Sequence, residues 1–171
     1  NYPHFSVFEC HQEAPHCTAT LKLEVTTTFW IFVLSLTDET VIMETPFGKI
    51  SINHYHNEDE SNDISQVNSI AITFFGLSPL KCELNTWHMI TLTATEWTFQ
   101  QQQIVVYFNK TKIGEINGAV GSTVTLGSEN KNNAIYYLSS SFQTFDSAVT
   151  LPDVKQMYIN GPKVFCPTLI K

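Results

Sequence analysis

Ile104-Val-Val-Tyr-Phe108 is the stretch that decides the fold. Successive strand residues point to opposite faces, so Ile104, Val106 and Phe108 share one face and Val105 and Tyr107 the other. Both faces are apolar, which suits a strand buried between two layers. Immediately downstream, Lys112-Ile-Gly-Glu-Ile-Asn117 has the composition of a partner strand. Its two isoleucines, Ile113 and Ile116, break the period of two, and a bulge at Gly114 would restore it. Asn109-Lys110 between these runs is a hairpin turn. Lysine is penalised at a positive backbone angle, so either a longer turn is expected or a turn of less than ideal geometry.

Working outward, short apolar runs recur between turn-like clusters and no long amphipathic helix interrupts them. Strands are predicted at Ala19–Thr26, Phe29–Leu36, Val41–Glu44, Lys49–Tyr55, Ser69–Phe75, His88–Ala94, Gln103–Phe108, Lys112–Asn117, Thr123–Leu126 and Ile135–Phe142. A single helix is predicted over 152–159, with Pro152 at its first turn and Gly161 as its stop. Leu151, Val154, Met157 and Tyr158 then line one face of it. Residues 56–68 form an acidic polar loop. The expected fold is all-β: a two-sheet antiparallel sandwich of the jelly-roll kind with one short C-terminal helix, residues 1–171 forming one domain.

The totals agree. A chain of 171 residues in which 43% are hydrophobic and only 15% charged can bury a core and is not intrinsically disordered. Net charge is −7, and all nine basic residues are lysines scattered along the chain. Nucleic-acid binders cluster lysine and arginine, so this function class is excluded. The apolar run 28–36 is too short to span a bilayer, and the sequence is expected to begin at a mature or excised terminus.

Four cysteines, Cys10, Cys17, Cys82 and Cys166, fit two disulfides of any of three connectivities. The six-residue gap between Cys10 and Cys17 is wrong for a zinc loop and has no second pair. Asn109-Lys110-Thr111 is the chain's one N-glycosylation sequon. Together with the even cysteine count it points to an extracellular setting.

Four pieces then follow in order: Trp87-His-Met-Ile-Thr-Leu92, Ile104-Val-Val-Tyr-Phe-Asn109, Thr123-Val-Thr-Leu-Gly127 and Leu151-Pro-Asp-Val-Lys-Gln-Met-Tyr158. Over about residues 86–161 this arrangement resembles laminin G-like and pentraxin-like domains of the concanavalin A-like jelly-roll superfamily. The resemblance implies core roles for Trp87, Leu92, Leu126, Val154 and Tyr158, with the helix plugging an open end of the sandwich. It also implies calcium after Leu126-Gly127, where Glu129 and Asn130 are candidate ligands. Lys131 stands there in place of a carboxylate, which argues against a full pentraxin-type site, since calcium takes about six to eight oxygen ligands.

Other candidates come from the residues themselves. Glu58, Asp59 and Asp63 of the acidic loop are candidate calcium ligands without EF-hand spacing, and a solvated loop is the plainer reading. His54 and His56 lie two apart and with Glu58 would make an irregular metal site. Jelly-roll glycoside hydrolases set paired carboxylates along a strand. The predicted strands here are nearly free of them, and no nucleophile elbow or phosphate loop is present. The expectation is an extracellular, non-enzymatic recognition or adhesion module with a protein or matrix partner and no cofactor. The alternative is a lectin, calcium-assisted or purely aromatic, with Trp30 and Trp97 read either as spare sugar-stacking aromatics or as core residues; a jelly-roll glycoside hydrolase is the remote alternative.

Overall fold

The computed structural model describes residues 7–10, 18–55, 69–95, 102–127, 134–139, 143–145 and 147–162. The strands run β1 (Val7–Cys10), β2 (Thr18–Lys22), β3 (Thr26–Leu36), β4 (Thr40–Thr45), β5 (Gly48–His54), β6 (Ser69–Phe74) and β7 (Leu80–Glu83). They continue with β8 (Trp87–Ala94), β9 (Gln102–Phe108), β10 (Thr111–Gly118), β11 (Thr123–Gly127), β12 (Ala134–Ser139) and β13 (Gln143–Phe145), and α1 (Leu151–Asn160) follows. One sheet has the order β1-β12-β3-β8-β9-β10 with β13 added beside β3; the other has the order β2-β11-β4-β5-β6-β7. Neighbouring strands pair antiparallel throughout, from β1 with β12 to β8 with β9. This is the expected all-β sandwich.

β9 behaves as its alternation demands. Ile104, Val106 and Phe108 join the main core with Phe29, Ile31 and Val33 of β3 and Ile90 and Leu92 of β8. The opposite sheet answers with Ile42, Ile50, Ile52, Ile72, Phe74, Val124 and Leu126. Each such side chain contributes about 1.5–3 kcal/mol when fully buried. Val105 and Tyr107 turn the other way, into a second cluster with Trp30, Met89 and Val154.

That second cluster lies under α1, and it corrects the expected place of the helix. The helix does not plug an end of the sandwich; it covers the outer face of the larger sheet. Val154 is buried, Met157 and Tyr158 pack beside it, and Tyr158 stacks on Trp30 with ring centroids 5.8 Å apart. Of the two readings of Trp30, sugar platform or core, the structure gives the core. Leu151, expected on the buried face, is 38% exposed. Beside the helix the same sheet face carries threonines rather than large apolar groups. Their hydroxyls bond across strands, Thr26 to Thr93 at 2.7 Å and Thr28 to Thr91 at 3.1 Å. Thr93 also accepts the Val149 N–H, and Thr26 donates to the Ser147 carbonyl, which ties down the segment entering α1. Asp153 accepts the Thr150 N–H at 2.9 Å and its hydroxyl at 2.8 Å, closing the helix start. Gly161, at φ 73°, ends the helix as predicted.

The β9–β10 hairpin answers both expectations about its geometry. Thr111 pairs directly with Phe108, so the turn holds two residues only. Asn109 takes the positive angle, φ 54°, and Lys110 does not. The register shifts between Lys112 and Gly114, which is the predicted bulge. A Cβ at Gly114 would lie 2.8 Å from Leu77 Cδ1, so a larger residue there would have to displace the tip of that side chain. Some differences remain. The predicted strand 19–26 is two elements, β2 and the start of β3. The predicted strand 135–142 coincides with β12 over residues 135–139, and residues 140–142 lie outside the described residues. Short β1, β7 and β13 were not anticipated.

Cys82 lies on β7, buried in the main core as a free thiol. Among the described residues it has no disulfide partner. A thiol facing isoleucines packs as a small apolar group, and burial, followed by the nearby Glu83 charge, pushes its pKa up to about 12. Cys17 and Cys166 lie outside the described residues, as does the side chain of Cys10.

Candidate functional site

The hairpin turn is fixed from below by β8. Asn109 Oδ1 accepts the Met89 N–H at 2.9 Å, and the Asn109 N–H donates to the Met89 carbonyl at 2.7 Å. Asn109 Nδ2 donates to His88 Nδ1 at 3.3 Å, while His88 Nε2 donates to the Glu83 carbonyl at 3.0 Å. An amide NH₂ only donates and a carbonyl only accepts, so the imidazole is neutral with its proton on Nε2. The ring stacks on Phe108 with centroids 5.3 Å apart, and burial lowers its pKa. The sequon nitrogen of Asn109 is therefore the donor to His88, on a half-buried residue.

Held in this way, the turn projects Lys110 beside α1 and opens a groove of about 700 Å³ between hairpin and helix. Lys110, Thr111 and Lys112 form one wall; Leu151, Lys155, Tyr158 and Ile159 form the other. On a helix, residues four apart lie on one stripe. Leu151, Lys155 and Ile159 make such a stripe, next to the buried stripe of Val154 and Tyr158. Tyr158 belongs to both: its ring stacks on Trp30 and its rim borders the groove. Ile159 is 75% exposed, the most open of the large apolar side chains among the described residues.

The groove gathers three of the nine lysines of a chain whose net charge is −7. Lys112 Nζ is 2.7 Å from Glu115 Oε1, and that hydrogen bond together with the carboxylate charge raises its pKa. Lys110 and Lys155 have no acidic partner among the described residues. The site therefore presents point positive charges beside apolar tips, one phenol and one threonine hydroxyl. It suits an anionic ligand and offers no nucleophile with an adjacent base. Sequence reading missed this site; the signal was Leu151-x₃-Lys155-x₃-Ile159, one lysine between two apolar residues at helical spacing.

The other sequence candidates do not converge on it. Glu58, Asp59 and Asp63 lie outside the described residues, and so do Glu129, Asn130, Lys131, His56 and Trp97. His54 ends β5 on the surface, its Nε2 3.1 Å from the Thr37 carbonyl. Among the described residues no group of three or more His, Cys, Asp or Glu side chains stands close enough to hold a metal ion. Glu24, Asp38, Glu39, Glu44, Glu83 and Glu115 are all exposed, and none enters the core between the sheets. Trp87, expected in the core, is half-buried against Phe32 with ring centroids 5.3 Å apart, while Leu92, Leu126 and Val154 are buried as expected.

No protein-family model and no curated protein sequence matches the chain. Its fold has solved counterparts. It is similar to the receptor-binding domain of botulinum neurotoxin D, at a TM-score of 0.55 and 12% identity over 94% of this chain and 45% of that one. The botulinum neurotoxin type G receptor-binding domain gives 0.53 and 15% over 91% and 44%. The binding domain of botulinum neurotoxin DC, solved in complex with SialylT, gives 0.52 and 14% over 94% and 43%. The chain thus spans less than half the length of each. These likenesses support the sandwich and name no laminin G-like or pentraxin-like branch; at such identities they show that this chain shares the fold of a part of these binding domains.

Proposed function

We infer that the chain is an extracellular, non-enzymatic recognition or adhesion module that binds an anionic protein or matrix partner through the groove between the β9–β10 hairpin and α1. The observation that carries this reading is the gathering of Lys110, Lys112 and Lys155 around apolar tips in an otherwise acidic chain. Counterparts in fold that are themselves receptor-binding domains support binding over catalysis. The resemblance of residues 86–161 to laminin G-like and pentraxin-like domains supports the extracellular setting. The test is binding of the fluorescently labelled chain to whole cells and to extracted matrix at two salt concentrations. Binding that weakens with salt and is lost in the Lys110→Glu/Lys155→Glu variant supports the reading. Unchanged binding by that variant overturns it.

A glycan ligand is the second reading, favoured by the botulinum neurotoxin DC domain solved with SialylT. Tyr158 offers a ring edge for a sugar, and the lysines offer charge for an acidic one. A glycan array probed with and without calcium decides it, and a blank in both conditions removes it.

A further inference from the structure

We propose that the hairpin–helix groove docks the chain, without spanning, onto the surface of an anionic lipid bilayer. This rests on the reading above only in taking the groove as the contact surface; the partner is a different one. Ile159 is 75% exposed and Leu151 38%, two of the three exposed large apolar side chains among the described residues. They flank Lys155 on one helical stripe, and Lys110 and Lys112 stand opposite on the hairpin. Apolar tips ringed by lysines are the pattern of an interfacial contact, in which apolar side chains enter the headgroup boundary and ammonium groups meet anionic lipid.

Two features favour a bilayer over an acidic peptide. The chain has no arginine, so the groove lacks the planar fork that fixes a carboxylate in one geometry. Lysine ammoniums are point charges on flexible stems and suit headgroups that rearrange beneath them. The only neutral polar side chains lining the groove are Thr111 and Tyr158, too few to pair the backbone of a bound peptide, whereas lipid needs no such pairing. A membrane contact is also compatible with a receptor in the same bilayer, because each contact raises the effective concentration of the other.

The experiment is flotation of the purified chain with vesicles of phosphatidylcholine alone and of phosphatidylcholine with one quarter phosphatidylserine, in EDTA so that calcium cannot bridge. Binding to the anionic vesicles alone is expected. It should fall roughly five-fold per groove lysine neutralised and roughly ten-fold for Ile159→Ser. Lys22→Glu, an exposed charge reversal on the other sheet, should leave it unchanged. Equal binding to both vesicle types, or full binding by Lys110→Glu/Lys155→Glu, overturns the proposal. Absent vesicle binding, with cell binding still lost in that double variant, overturns the lipid partner and leaves the recognition reading standing. Cell binding retained by the double variant removes both. Circular dichroism and unfolding midpoints of the variants keep misfolding from imitating loss of binding.

Discussion

Replacing Asn109 tests how the groove is held open. The side chain does three things at once: Oδ1 accepts the Met89 N–H, Nδ2 donates to His88, and the residue tolerates φ 54°. In Asn109→Gly the angle costs nothing, and the loss is that of the side-chain bonds. Met89 is fully buried, so its N–H left unpaired costs about 1–3 kcal/mol. The 3.3 Å contact to His88 is long and adds roughly 0.5 kcal/mol. Asn109→Gly should therefore lose about 2 kcal/mol. Asn109→Ala loses the same bonds and also forces a Cβ into the left-handed region, about 1 kcal/mol more. Urea unfolding followed by tryptophan fluorescence at pH 8 reads both differences, provided the slope of stability against urea is unchanged. A glycine variant as stable as the parent would show that the Asn109 bonds contribute nothing. Alanine equal to glycine would refute the role of the positive angle.

Two further outcomes follow from buried titratable groups. His88 is held neutral, its pKa lowered by burial, so the unfolded chain takes up a proton more readily than the folded one. Stability should decline as pH falls below about 6.5, the ordinary histidine value, and level off once pH passes below the folded value; His88→Gln should flatten this in urea titrations at pH 8, 6 and 5, and a parent protein whose stability is constant across them would contradict the assignment. Cys82, with a pKa pushed up to about 12, should resist alkylation by iodoacetamide in the native chain and react once urea unfolds it. Mass spectrometry of the digested peptide reads this, and either rapid native labelling or no labelling in urea without reductant would contradict a free buried thiol.

Where periodicity was strong, the fold was legible in the sequence. The two apolar faces of 104–108 announced a strand between layers, and the misfit of Ile113 and Ile116 announced the bulge at Gly114. The helix ends were legible in Pro152 and Gly161 because both act locally. What covers the second apolar face was not legible, because cover is a long-range property: Val105 asks for a neighbour without naming it. Short β7 escaped because Leu-Lys-Cys-Glu carries too little alternation, and it is held by pairing with β6. The groove escaped for a related reason. Leu151 sits at a position that periodicity assigns to the core, yet the sheet beneath is filled by Trp30, Met89 and Tyr107 before the helix presents it.

The cover and the groove are one consequence of the same strand. A strand apolar on both faces must be covered twice, and the second cover here is a helix of ten residues. So short a helix buries a narrow stripe, Val154 with parts of Met157 and Tyr158. The next stripe around its surface, Leu151-Lys155-Ile159, is left at the rim. Had the rim served only the cover, polar residues would suffice there, since nothing in the packing needs an isoleucine that is 75% exposed. The hairpin opposite is also more tightly specified than its pairing alone requires. Its turn has two residues, one at a positive angle and tied to β8 through Met89 and His88, and this places Lys110 on the hairpin wall of the groove that Lys155 lines from the helix. Rigid presentation of charge beside exposed apolar tips gains the fold nothing, because unpaired lysines and bare isoleucine contribute little to stability. These are the side chains whose placement asks for a partner outside the molecule.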